Sequence, residues 1–286
     1  MKSESKKNNF LQLEEKFSSI EKSKIIFLPL EYSDKKKKDE THPSKLIIEA
    51  SKKLEKYDEE MNRELAYESG ICSLNKLKVY SNSNQNGNSI DEISNIVKNK
   101  KLFTLSDDIN TIKFLVDLYG RNYKEFTILH LDAKARMKNN PLPNKDSVIR
   151  NLVENNNHIL QVGVRSLSKD EEIFKTQNLV KQILACEINL GMLGEDWQEI
   201  VVRNLNENVF IVLNINVFDP QFFDNISEPE PAGLNWNDLI YLFKIIGQDK
   251  NIIGADVNGI FPRKRSNSNY YIAKLIYKIM NYAIKK

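Results

Sequence analysis

Asp132, Lys134 and Arg136 follow one another at spacing two, and Asn214 and Asn216 repeat that spacing further along the chain. In extended backbone this interval sends side chains to one side. A carboxylate beside two cations has two uses. Lys134 or Arg136 can pair with Asp132 and neutralise it internally. Alternatively Lys134 and Arg136, joined by Lys145, can converge on the carboxylate or phosphate of a ligand. His42, His130 and His158 are scattered and have no partners at ligand spacing, so they do not form a metal site of their own.

The elements that position these residues are short apolar runs. Phe126-Thr127-Ile128-Leu129-His130-Leu131 leads into Asp132, and Val209-Phe210-Ile211-Val212-Leu213 leads into Asn214. Both runs are continuous and rich in β-branched or aromatic residues, as expected of strands buried on both faces of a parallel sheet. In open α/β sheets the carboxyl ends of the strands border the ligand crevice, so both polar sets fall where chemistry is expected.

The rest of the chain repeats the alternation of strand and helix. Residues 1–22 form a polar arm, with Phe10, Leu11, Leu13 and Phe17 available to dock on a single domain spanning 23–286. Strands are predicted at 25–30, 101–105, 125–131, 159–162, 200–202, 209–213 and 251–256. Thr41-His42-Pro43 opens a helix, with Thr41 or His42 near the cap, whose stripe runs through Leu46, Ile47, Ala50, Leu54 and Tyr57. Further helices are expected at 90–99, from Asp107 or Asp108 to 119, at 145–154, at 235–246 and at 269–284. Ser168 and Glu171 have capping-box spacing for a helix running to about residue 185. Lys35-Lys36-Lys37-Lys38 reads as a solvated loop or an anion- or partner-binding one. Phe222-Phe223 is placed at the crevice mouth or a subunit contact. The pattern as a whole gives a doubly wound, mostly parallel sheet.

Composition narrows the function classes. A charged fraction of 28% with a net charge of +3 offers no basic face for nucleic acid. No apolar run approaches the roughly 20 residues of a membrane span, and the polar N-terminus argues for the cytoplasm. Cys72 and Cys186 lack metal or disulfide spacing and read as small, partly buried residues.

Several motifs together resemble one family. They are Gly163-Val164-Arg165-Ser166, Asp219-Pro220, Pro229-Glu230-Pro231-Ala232-Gly233-Leu234 and Gly254-Ala255-Asp256-Val257, with Ile48-Glu49-Ala50-Ser51 and Leu54-Glu55-Lys56-Tyr57-Asp58-Glu59-Glu60 near the N-terminus. In this order and spacing the chain resembles the ureohydrolases of the arginase superfamily, agmatinases in particular. The resemblance implies a three-layer α/β/α fold around a mostly parallel sheet of about eight strands. It also implies trimers or hexamers, and hydrolysis of guanidino groups by two Mn²⁺ ions roughly 3.5–4 Å apart with a bridging hydroxide.

Residue by residue, the resemblance locates the site and departs from it. The family's Gly-Gly-Asp-His turn resembles Leu105-Ser106-Asp107-Asp108-Ile109, with Ile109 at the histidine. Its Asp-Ala-His-x-Asp stretch falls on Asp132-Ala133-Lys134-Ala135-Arg136, and its Asp-x-Asp pair on Asn214 and Asn216. A histidine near the substrate falls on Lys145, and the glutamate that grips the guanidinium falls near Gly259. Asp256 is structural in the family pattern. Of the metal positions Asp132 alone keeps its residue type. A ligand set of about −4 becomes about +1 for Asp132, Lys134 and Arg136, and neither ammonium nor guanidinium has a lone pair for a metal. The expectation is a pseudoenzyme without metal cofactor, with no catalytic residues, acting as a structural or regulatory subunit. It would form a homo-oligomer or join an active ureohydrolase paralogue. The alternatives are a binder of a small anionic metabolite at Lys134, Arg136 and Lys145, or a residual guanidino-group hydrolase.

Overall fold

The computed structural model describes residues 9–33, 42–140 and 144–285; the lysine tract 35–38 lies outside them. The strands are β1 (Ile25–Tyr32), β2 (Ile71–Ser73), β3 (Leu77–Val79), β4 (Lys101–Ser106), β5 (Thr127–Leu131), β6 (His158–Val164), β7 (Lys181–Leu184), β8 (Asn208–Asn214) and β9 (Asn251–Asn258). They form one sheet in the order β2-β1-β4-β9-β8-β5-β6-β7, with β3 paired to β1. Every pairing between them is parallel. The sheet thus has nine strands among the described residues, where the resemblance implied about eight.

Alternation along the strands explains the three layers. Ile25 and Phe27 of β1, Leu129 and Leu131 of β5, and Val209, Ile211 and Leu213 of β8 face one core. Ile26, Leu28, Ile128, Phe210 and Val212 face the other. Because a strand turns successive side chains to opposite faces, a continuous apolar run must be covered on both sides. The first core is closed by α1 (Pro43–Ser51), α8 (Trp197–Arg203), α9 (Trp236–Asp249) and α10 (Ser268–Ala283). The second is closed by α3 (Gly87–Val97), α4 (Ile112–Gly120), α5 (Val148–Glu154) and α6 (Lys169–Gln177). Two short helices, α2 (Leu65–Glu68) and α7 (Ala185–Asn189), complete the set. Phe10, Leu11 and Leu13 are buried in the first core, and Phe10 N donates to Ser73 Oγ at 2.9 Å.

Local expectations fail where packing overrides propensity. Residues 200–202 are not a strand. They lie in α8, where the Asp196 side chain accepts from Gln198 N and Trp197, Val201 and Val202 meet the core. The capping box of Ser168 and Glu171 forms, but α6 stops at Gln177 and Leu179 takes φ +53. The following residues pair with β6 as β7 instead of extending the helix to 185. α1 ends at Ser51, which leaves Leu54 buried beyond it and Tyr57 exposed. Residues 71–73 and 77–79 form strands too short to register as periodic runs. Cys186 is exposed and only Cys72 is buried. Among the described residues no helix is long and apolar enough to cross a membrane.

Candidate functional site

β4, β9, β8 and β5 are neighbours in the sheet, so residues following Ser106, Asn258, Asn214 and Leu131 meet at one edge. A cavity of about 140 Å³ opens there, lined by Ile109, Arg136, Lys145, Asn214, Glu228 and Gly259 among others. Strand ends distant in sequence are thereby brought to one crevice. Asp132, Lys134 and Asn216 stand beside it through their ties to those residues.

Asp132 is fully buried. One oxygen accepts from its own neighbour Lys134 N at 3.1 Å, and the other from Arg136 Nε at 3.0 Å. Of the two cations expected to pair with Asp132, Arg136 does so. Lys134 Nζ turns away to Glu228 Oε1 at 3.0 Å. Burial, the largest single influence, would raise the Asp132 pKa, but the Arg136 charge and hydrogen bond together with the neighbouring His130 outweigh it and hold the carboxyl below its ordinary value. Arg136 itself has φ +57, a left-handed backbone rare for a side chain of this size, with its carbonyl accepting from Ile149 N at 3.0 Å.

Glu228 is the residue the sequence reading did not single out. Its Oε1 accepts from Lys134 at 3.0 Å and Lys145 at 2.8 Å, and its Oε2 from Arg136 Nη2 at 2.8 Å. Asp146 lies 3.4 Å from Arg136 Nη1. Glu228 therefore removes the surplus positive charge that Asp132, Lys134 and Arg136 would leave by themselves. Burial would push its pKa up. The Lys145 hydrogen bond, the Arg136 charge and the bonds from Arg136 and Lys134 bring it down to about 2.

That depression sets a pH window. An unfolded Glu228 binds its proton near 4.5 and the folded one near 2. Between these values the unfolded state carries the extra proton, so stability rises with pH across the window and is lost on acidification through it. The stability difference between wild type and Glu228→Gln is expected to be constant above pH 4.5 and to shrink steadily toward pH 2. Denaturant titrations at successive pH values measure it, and a difference unchanged by pH would separate Glu228 from the ion cluster.

The Asn214 amide is held by local backbone, whereas neither side-chain polar atom of Asn216 has a hydrogen-bond partner among the described residues. Asn214 Oδ1 accepts from Asn216 N at 3.0 Å, and Asn216 is fully buried. Asp256 is also buried, taking hydrogen bonds from Thr104 at 2.6 Å, Ser106 at 2.5 Å and Asn258 at 3.0 Å, so it ties β4 to β9 within the sheet. His130 is fully buried: Nδ1 meets Gln161 Nε2 at 2.9 Å, and Nε2 stands 3.7 Å from Asp132. His42 caps α1, and His158 Nδ1 meets Thr127 Oγ1 at 2.8 Å. Among the described residues no group of three or more His, Cys, Asp or Glu side chains is gathered to hold a metal ion.

The loop carrying Glu228 is fixed from beneath by Arg165. Its guanidinium donates to the carbonyls of Asn216 at 2.8 Å, Glu230 at 2.8 Å and Pro231 at 2.8 Å. The Gly-Arg and Pro-rich motifs thus touch each other. In the same loop Phe223 is buried against Phe218 and Tyr271, while Phe222 remains exposed.

A three-layer α/β protein with nine parallel strands and a crevice at their carboxyl ends is what the fold and site define. The chain belongs to the arginase family, whose model matches residues 22–281. It is 26% identical over 271 residues to the N(1)-aminopropylagmatine ureohydrolase of Synechocystis sp., covering 90% of this chain and 88% of that protein. The crystal structure of agmatine ureohydrolase from Thermoplasma volcanium superposes with a TM-score of 0.76 at 18% identity, over 93% of this chain and 92% of that one. Proclavaminate amidino hydrolase from Streptomyces clavuligerus gives 0.77 at 13% identity, over 96% of both chains.

Proposed function

We propose that this chain is a catalytically inactive arginase-family protein that works without manganese, as a structural or regulatory subunit. The observation that carries the reading is the Asp132–Arg136–Glu228 cluster at the crevice, with Lys134 and Lys145 bound to the same glutamate. The residues there do not suit a pair of divalent ions. Lys⁺ and Arg⁺ have no lone pair to donate, Ile109 has no donor atom, and the oxygens of Asp132 already serve Arg136 and the Lys134 amide. A divalent pair needs several carboxylates to offset its own repulsion, and Asp132 would face it beside a guanidinium.

The relatives' names supply the substrates for the test: agmatine, arginine and N(1)-aminopropylagmatine. Purified protein incubated with Mn²⁺ is expected to release no urea from any of them and to carry no stoichiometric metal. Metal-dependent urea release would overturn the reading and restore that of a guanidino-group hydrolase. The work of the subunit is assigned to assembly in the cytoplasm, as a homo-oligomer such as a trimer or hexamer, or beside an active ureohydrolase paralogue. Mass spectrometry of the complex purified from its own cells distinguishes the two. A second reading, a binder of small anions, is favoured by one observation: Lys134, Arg136 and Lys145 converge on a carboxylate, though one belonging to the chain itself.

A further inference from the structure

The segment bearing Glu228 is fastened across the crevice on both sides. Ile226 bridges to Ile260 in antiparallel fashion, Ser227 N donates to Gly259 O at 2.9 Å, and Phe261 N donates to Asn225 O at 2.7 Å. Beyond Glu228, Arg165 holds the carbonyls of Glu230 and Pro231. Between these fastenings the Glu228 side chain, about one-fifth exposed, reaches cations that all come from the opposite wall, after β5. The two lysines take one oxygen and the guanidinium takes the other, at 2.8–3.0 Å. A free carboxylate ligand is bound in this way, by charge-assisted hydrogen bonds that divide its two oxygens between donors.

We infer that Glu228 is the internal occupant of a carboxylate-receiving site, and that a small monocarboxylate enters only in exchange for it. The inference deepens the anion-binding reading above and gives it a regulatory form: the intact chain keeps the site closed to outside anions. The tethered carboxylate competes at an effective concentration of roughly millimolar or above, so an external acid gains access when the 225–228 segment is drawn away or its charge is lost. The planar division of two oxygens favours a carboxylate over tetrahedral phosphate.

Chemical rescue tests this. Wild type, Glu228→Ala and Glu228→Ala/Lys145→Met are melted in sodium acetate and in sodium chloride of equal ionic strength, with inorganic phosphate as a third arm. EDTA is present throughout, so the result does not depend on manganese uptake and can fail separately from the metal-free reading. Glu228→Ala is expected to melt below wild type and to regain roughly 2–4 °C in saturating acetate relative to chloride. Phosphate should restore less, wild type should not respond, and Lys145→Met should remove at least half of the acetate response. Equal responses in wild type and variant, or no response in the variant, would overturn the inference. A phosphate effect matching that of acetate would overturn the carboxylate assignment. If Glu228→Ala does not fold, Glu228→Gln is titrated in its place, and an acetate response no larger than that of wild type counts against the proposal.

Discussion

Arg136→Met is expected to lose about 3–5 kcal/mol of stability at pH 7, as measured by denaturant unfolding. Asp132 has no exposed surface, and its Oδ2 has Arg136 as its hydrogen-bond donor at 3.0 Å. A methionine fills much of the arginine's volume and supplies no charge, so the variant isolates the loss of the counter-ion from the loss of packing. The buried carboxylate must then either remain charged and unpaired or take up a proton, and both cost free energy. Glu228 and Asp146 lose the same partner, but they lie nearer solvent and keep lysine contacts, so their share is smaller. Asp132→Asn combined with Arg136→Met removes the stranded charge, and the double variant should lose less than the sum of the singles by about 0.5–3 kcal/mol. A single-variant loss below about 1 kcal/mol would show that Asp132 does not depend on this arginine.

The cluster explains which parts of the site could be read from residues alone. Asp132, Lys134 and Arg136 lie within one short stretch, and an internal pair was foreseeable because opposite charges at spacing four face a common side. Glu228 was not foreseeable. It is 92 residues from Arg136, in a Pro-rich loop where Glu230 is an equally plausible acid. Only the close packing of β8 and β5 at their carboxyl ends brings that loop over the lysines. The same division holds for the fold. β5 and β8 were legible because burial on both faces leaves a continuous apolar run, and α9 and α10 because their stripes are long. Ile200-Val201-Val202 misled because three β-branched residues favour a strand locally, while Asp196 and the core contacts of Trp197 and Val201 favour a helix. β7 exists only through its pairing with β6, which no local pattern records.

Returning the family's residue types one at a time is expected to run uphill, and Gly259 shows why. Gly259 has φ +79, and a Cβ built on it would lie against the Asn214 side chain. Asn214 cannot swing aside freely, since it is 2% exposed and its oxygen accepts from Asn216 N. Gly259→Ala should therefore destabilise the protein by about 2–4 kcal/mol, combining the left-handed backbone penalty with the steric one. Gly259→Glu, close to where the resemblance places the family's guanidinium-gripping glutamate, carries both penalties and puts a carboxylate into a cavity lined by Asp107, Asp108 and Glu228 as well as Arg136 and Lys145. Denaturant unfolding of Gly259→Ala in the wild-type and Asn214→Gly backgrounds separates the causes. If Asn214 is the obstacle, the alanine loses at least 1 kcal/mol less in the second background, as expected of residues in contact. Equal losses would assign the whole effect to the backbone angle. In the first case the amide at 214 and the glycine at 259 are mutually fitted, and a side chain at 259 is accommodated only after the one at 214 has moved.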